Sequence, residues 1–281
     1  MRKKFHYTNG YTHGGVFHAD DVFSTALCIL IDSDFQFKRG LDPEHEIDPE
    51  VRENTIIYDI GNGEYDHHSL PRETRENGIP YAAFGKLWRD FGYLLCENDE
   101  IVKKIDDNFV SKIDAVDNGY GDITSDISNY ISMCNPLWDE TYTTDRAFDD
   151  ALNTAYNILE RTIMQANSTY RGKKFIEEAI DKMEYNTVVL KKYVNWLETL
   201  IPIKEAEFCI YPSLRGGYSL QVVPKELGSR EAKFDIPSKY WGSHNLEEVE
   251  GMSFCHNTGF LAAFDSITNA LNFVKKIKGI K

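Results

Sequence analysis

A short apolar run ending in a carboxylate, Ile56-Ile57-Tyr58-Asp59-Ile60-Gly61, lies between two clusters of histidine and aspartate. The first cluster reads Thr12-His13-Gly14-Gly15-Val16-Phe17-His18-Ala19-Asp20-Asp21, and the second reads Tyr65-Asp66-His67-His68. Four of the eight histidines fall in these clusters. Imidazole and carboxylate together suit borderline divalent cations such as Mn²⁺, Fe²⁺ or Zn²⁺. So many ligand groups at strand ends and turns point to a site for two ions rather than one. The fold is therefore expected to bring the three segments to one place. Paired divalent ions are a recurrent means of hydrolysing phosphate esters.

His13 and His18 are five residues apart, which is not the i, i+4 spacing of two histidines on one helix face. A turn leading into a helix carries them better, because Gly14 and Gly15 permit tight backbone folding. Asp20 then falls near the helix N-terminus, where the dipole favours a carboxylate. The same pattern would also arise if Asp20 only capped the helix and both histidines lay in an exposed loop.

The first half alternates strand-like and helix-like segments. Val22, Phe23, Ala26, Leu27 and Leu30 recur at helical spacing over 20–31. Phe35 to Arg39 alternates as a strand does, and the β-branched run over 54–60 reads as a buried strand. A helix is predicted over 81–95. Another carries Ile101, Ile105, Phe109 and Ile113 into Asp114-Ala115-Val116-Asp117 before Gly119 and Gly121 end it. Such alternation predicts an α/β fold with a doubly wound parallel sheet, which places ligands at the carboxyl ends of strands. A long helix follows, with a stripe through Phe148, Leu152, Ala155, Leu159 and Ile163, running to about Met183. The last third reads as a smaller α+β domain. It has a hairpin turning at Arg215-Gly216-Gly217, a strand over 252–255 and a closing helix over about 265–276. These readings give a metal-binding domain with its helical connector over 1–185, and a second domain over 186–281.

A formal charge of −14 argues against a large basic groove for duplex nucleic acid. It does not exclude a phosphate substrate, since bound divalent cations would reverse the local sign. A small or single-stranded substrate fits better. There is no stretch of 18 apolar residues, so no membrane-spanning helix is expected. The basic N-terminus, Met1-Arg2-Lys3-Lys4, lacks the apolar core of a secretory signal. Cysteines 28, 96, 134, 209 and 255 form no CxxC pair, and their odd number suits reduced thiols in a cytoplasmic protein.

The order of the blocks resembles the melanocyte-proliferating-gene-product family, a set of metal-dependent hydrolases related to the DHH phosphoesterase superfamily. The resemblance spans nearly the whole chain. It includes the opening at 12–20, Asp59-Ile60-Gly61 with Glu64-Tyr65-Asp66-His67-His68, and Tyr81-Ala82-Ala83-Phe84-Gly85. It continues through Asp114-Ala115-Val116-Asp117-Asn118-Gly119, Asn135-Pro136-Leu137-Trp138, Val222-Val223-Pro224-Lys225-Glu226 and His256-Asn257-Thr258-Gly259-Phe260.

This resemblance implies two divalent ions, Mn²⁺ first, with Mg²⁺, Fe²⁺ or Zn²⁺ open. His13, His18 and Asp59 would hold one ion. Asp20, Asp59, His67 and Asp117 would hold the other, with Asp114 as the alternative to Asp117. Most superfamily members have an aspartate where His18 stands. His68 would contact the scissile phosphate or act as general acid, with Asp66 orienting an imidazole. His256, Asn257, Gly259 and Lys225 would contact substrate from the second domain. In relatives a Gly-Gly pair follows, where this chain has Ala262-Ala263. The implied activity is a phosphodiesterase, exonuclease-like on single-stranded RNA or short oligonucleotides, and a homodimer is compatible with it. Two alternatives stand beside it. One is amide hydrolysis, disfavoured because no HExxH motif is present. The other is a metal-stabilised binding module with little activity.

Overall fold

The computed structural model describes residues 2–280. The chain divides into two compact units, Met1–Asn167 and Ser168–Lys281.

The first unit is α/β. It contains β1 (Asn9–His13), α1 (Ala19–Ile31), β2 (Gln36–Gly40), the short α2 (Pro43–Glu46) and β3 (Thr55–Ile57). Then come α3 (Ala83–Phe91), α4 (Asp99–Ile105), α5 (Ser111–Asp117) and α6 (Asp126–Met133), and α7 (Thr144–Ile180) begins. The three strands form a parallel sheet in the order β2-β1-β3. Parallel pairing demands a crossover, which α1 supplies between β1 and β2. The stripe read from the sequence is buried as expected. Val22, Phe23, Ala26 and Leu27 join Phe84, Leu87, Trp88 and Phe91 of α3 in one core. At about 25 cal/mol per Å², each of the larger of these buried side chains is worth roughly 1.5–3 kcal/mol.

Three elements are shorter than the sequence predicts, each for a local reason. The strand expected over 54–60 ends at Ile57 because Asp59 takes a left-handed φ of 56° and turns the chain out of the ladder. The helix expected over 81–95 starts at Ala83, where Asp20 of α1 receives its first N–H groups. The helix through Ile101 to Asp117 is broken by a π-helical turn over Asp106–Val110.

The second unit contains β4 (Thr187–Val189), α8 (Leu197–Leu200), β5 (Phe208–Pro212), β6 (Tyr218–Val222), β7 (Met252–Cys255), β8 (Leu261–Phe264) and α9 (Ile267–Lys278). Its sheet is mixed, in the order β4-β5-β6-β8-β7, with only β4 and β5 parallel. The β5–β6 hairpin turns where the sequence places it. Gly217 is required there, since its φ is 64° and a Cβ would overlap the Phe264 carbonyl. Ala262 and Ala263 lie within β8, a strand the sequence reading missed. The five cysteines are free.

The division between the units falls inside α7, whereas the sequence placed a domain boundary near Tyr185, after the helix. The packing explains the position. Phe148, Leu152, Ala155, Leu159 and Ile163 belong to the core of the first unit, while Ile176 belongs to a core of the second. Among the described residues no helix is long and apolar enough to cross a membrane.

Candidate metal centre

The parallel register sets the first two ligands side by side. Tyr11 pairs with Ile57, so His13 and Asp59, each two residues further on, leave the sheet at the same carboxyl edge. Asp59 accepts its strained φ because aspartate tolerates the left-handed region better than a branched residue would. Its N–H donates to the Tyr65 carbonyl, at 3.0 Å, which closes the 59–65 loop and delivers His67 and His68 to the same edge.

The carboxylate of Asp59 stands at the centre. Oδ2 lies 3.2 Å from His13 Nε2 and Oδ1 lies 3.1 Å from His67 Nε2. His13 Nε2 is also 3.3 Å from Asp21 Oδ2. His67 Nε2 is 3.1 Å from Asp117 Oδ2 and 3.9 Å from Asp20 Oδ2. Two sets of ligand atoms result, His13/Asp21/Asp59 and Asp20/His67/Asp117, each close enough to hold a cation. A third set, Asp59/His67/His68, overlaps both. Both histidines are oriented for such a role. Nδ1 of His13 faces the Gly14 carbonyl at 3.2 Å, and Nδ1 of His67 faces Asn118 Oδ1 at 3.4 Å. Donation from Nδ1 leaves each Nε2 lone pair for a metal.

The carboxylates are positioned by backbone. Ala82, which precedes α3, has no capping side chain. Asp20 instead accepts the N–H groups of Ala83 and Phe84, at 3.0 and 2.7 Å, and Asp114 accepts that of Gly85, at 3.1 Å. Asp114 is held by Arg75, at 2.7 Å, and takes no part in the ligand sets. Asp117, one turn further along α5, does.

Electrostatics show how strongly the buried carboxylates and the imidazoles act on one another. Asp20, Asp21 and Asp59 are all buried. Burial pushes the Asp21 carboxyl up to about 7 despite the nearby His13, and burial with the charges of Asp59 and Asp117 raises Asp20 well above its usual range. Burial opposes charge on the imidazoles, but the carboxylates outweigh it. Asp59 and Asp21 push His13 to about 9, and Asp117 and Asp59 push His67 to about 11. Burial would raise Asp59 too, yet the two histidines hold it down to about 2. Asp21 Oδ2 is buried with no hydrogen-bond donor. A buried carboxylate oxygen without a donor costs several kcal/mol unless a cation meets it. The donor set of imidazole and carboxylate fits borderline divalent cations.

The remaining expected residues fall as follows. His18 is exposed and lines the same cavity of about 820 Å³, its ring 5.9 Å from that of His13. It belongs to none of the ligand sets; Asp21 stands within reach of His13 and Asp59 instead. The sequence reading missed Asp21, whose Oδ1 closes the start of α1 by accepting the His18 N–H at 2.9 Å. Its second oxygen is the one aimed at His13. His68 is exposed in the cavity, with Nδ1 2.6 Å from Asp66 Oδ1. Burial would raise Asp66, but the His68 N–H and ring lower it, so it stays a carboxylate. In the second unit, His256 Nδ1 accepts the Thr258 N–H at 3.2 Å, Asn257 is exposed, and Gly259 has a φ of 68°. Lys225 pairs with Glu231 at 3.1 Å.

Nearly the whole chain is similar to known proteins. The profile of a family described as "Uncharacterised protein family (UPF0160)" matches residues 11–277. The chain is 27% identical to the MYG1 exonuclease of Rattus norvegicus, covering 94% of this chain and 83% of that one. It is 26% identical to the MYG1 exonuclease of Homo sapiens, covering 94% and 84%. It is also 26% identical to the MYG1 protein of Chlamydia pneumoniae, covering 96% and 97%. No solved structure matches.

Proposed function

The chain belongs to the UPF0160 family, and from that premise we propose that it is a divalent-metal-dependent phosphodiesterase, an exonuclease acting on single-stranded RNA or short oligonucleotides. The single observation carrying this reading is the Asp59 carboxylate, which turns one oxygen to His13, of one ligand set, and the other to His67, of the second. One carboxylate shared in this way suits a pair of ions, Mn²⁺ first. The mammalian relatives named exonucleases support the nuclease assignment, and the DHH-like doubly wound layout belongs to the same proposal.

Paired divalent ions supply Lewis acidity, an activated water and charge neutralisation on phosphate oxygens. The chain does the rest. His13, Asp21 and Asp59 would hold one ion, and Asp20, Asp59, His67 and Asp117 the other. Asn118 and the Gly14 carbonyl fix the tautomers of His67 and His13. His68 is the one histidine of the second cluster with a largely exposed ring. Asp66 accepts from its Nδ1–H, and in the imidazolium form Nε2–H would give its proton to the departing oxygen. General acid catalysis of this kind is worth about 10²–10⁴-fold. Asp66 acts through His68 and is a positioning residue.

Substrate contact by His256, Asn257, Gly259 and Lys225 belongs to the same proposal, as do a functional boundary near Tyr185 and a cytoplasmic location. For Lys225 it requires a phosphate to displace Glu231. Purified protein should cleave 5′-labelled single-stranded RNA with added Mn²⁺, and Asp59→Ala should not. Metal-loaded wild type that leaves RNA and simple phosphodiesters intact would overturn the reading in favour of a binding module.

A further inference from the structure

Arg72 is the only lysine or arginine lining the cavity that holds the ligand sets, among the described residues. We propose that Arg72 is a substrate-contact residue that binds the non-bridging oxygens of the phosphate; this rests on the phosphodiesterase reading above.

Arg72 follows the second histidine cluster by four residues and is exposed. Its Nη1 donates to the Asn118 carbonyl at 3.3 Å. Asn118 in turn receives Nδ1 of His67 through its side chain. The guanidinium is thus tethered one residue from a metal-ligand carboxylate and next to the partner of a metal-ligand histidine. No carboxylate pairs with it among the described residues, although the chain carries 45 acidic residues. By contrast, Arg39, Arg75 and Arg89 each pair with acids. An arginine held beside a cavity without a carboxylate partner keeps its other donors for an incoming anion, in the fork geometry that matches phosphate.

Charge balance points the same way. Two divalent cations would balance the carboxylates of Asp20, Asp21, Asp59 and Asp117. Asp66, a fifth carboxylate of the cavity, would still leave it negative, and Arg72 offsets that charge toward a phosphodiester. On the same cavity wall, Ser128 Oγ of α6 is buried without a hydrogen-bond partner. The sequence reading overlooked Arg72 because nothing in Ser69-Leu70-Pro71-Arg72 resembles a phosphate-binding motif.

The test is calorimetric titration of inorganic phosphate into Mn²⁺-loaded wild type, Arg72→Ala and Arg72→Lys, with metal content measured for each. Loss of a hydrogen bond to a charged group should weaken phosphate binding in Arg72→Ala by about 10- to 150-fold. Metal content should be unchanged, and Arg72→Lys should recover part of the loss. Arg72→Ala that binds phosphate within twofold of wild type would overturn the proposal. So would Arg72→Ala that loses metal, since Arg72 would then act through Asn118 on His67. Loaded wild type that neither binds phosphate nor cleaves phosphodiesters would instead sink the phosphodiesterase reading itself, and the role of Arg72 with it.

Discussion

Removing the metal should make the protein's stability fall steeply with rising pH. Without cations, protons on His13 and His67 are what balance the buried carboxylates. Both folded values, about 9 and about 11, lie above the 6.5 of an unfolded histidine. The stabilisation is therefore complete below pH 6.5 and is lost as pH rises through 9 and then 11. Asp21, raised to about 7, complicates the range below neutrality, so the informative window is pH 7.5–9. There the two histidines together keep roughly 1.5–1.8 protons more when folded than when unfolded, since His13 is half-titrated at pH 9. At about 1.4 kcal/mol per proton per pH unit, the two together give a slope of about 2 kcal/mol per pH unit. For domains of this size that is on the order of 4–8 °C in Tm per pH unit. Metal-loaded protein already has neutral imidazoles, so its curve should be nearly flat. Binding of Mn²⁺ at pH 7.5 should release about two protons. The assay is chemical or thermal unfolding of chelator-treated and Mn²⁺-loaded protein across the window, in oxygen-free buffer. A flat curve for the metal-free protein would refute the reasoning, because the histidines could not then be carrying those protons.

Other substitutions separate the roles. Asp21→Ala should lose the ion on the His13 side while His18→Ala keeps both, as counted by metal analysis; the reverse pattern would restore His18 as a ligand. His68→Ala should keep its metal and lower turnover by about 10²–10⁴-fold; equal metal loss in His68→Ala and Asp59→Ala would remove the distinction between acid and ligand. At Gly85, an added Cβ would overlap Asp114 Oδ2 and crowd Arg75. Gly85→Ala should therefore destabilise the first unit by about 1–3 kcal/mol in urea unfolding, and an unchanged midpoint would contradict that packing.

The parallel sheet and its helices were legible because the patterns behind them are local. The apolar stripe of α1 and the β-branched run of β3 both report burial through periodicity. The convergence of the two clusters on Asp59 was also legible, because ligands at strand ends in a parallel sheet share one edge. What escaped the sequence depends on contacts between distant segments. Asp21 sits in the first turn of α1 with no sequence signal for a ligand, and only the third dimension turns its other oxygen toward His13. Asp20 caps α3 from 63 residues away, so the start of that helix carries no local signal. The choice between Asp114 and Asp117 rests on Arg75, which engages Asp114 from across the fold. The strand holding Ala262 and Ala263 was hidden because alanine favours helix and marks no strand by itself.

The central claim is that one carboxylate, Asp59, is shared by two cations. Anomalous diffraction from a crystal grown with Mn²⁺ measures this directly. The account predicts two peaks in the first unit, one against His13 and Asp21, the other against Asp20, His67 and Asp117, with Asp59 coordinating both. A single peak, or two peaks that do not share Asp59, would contradict it.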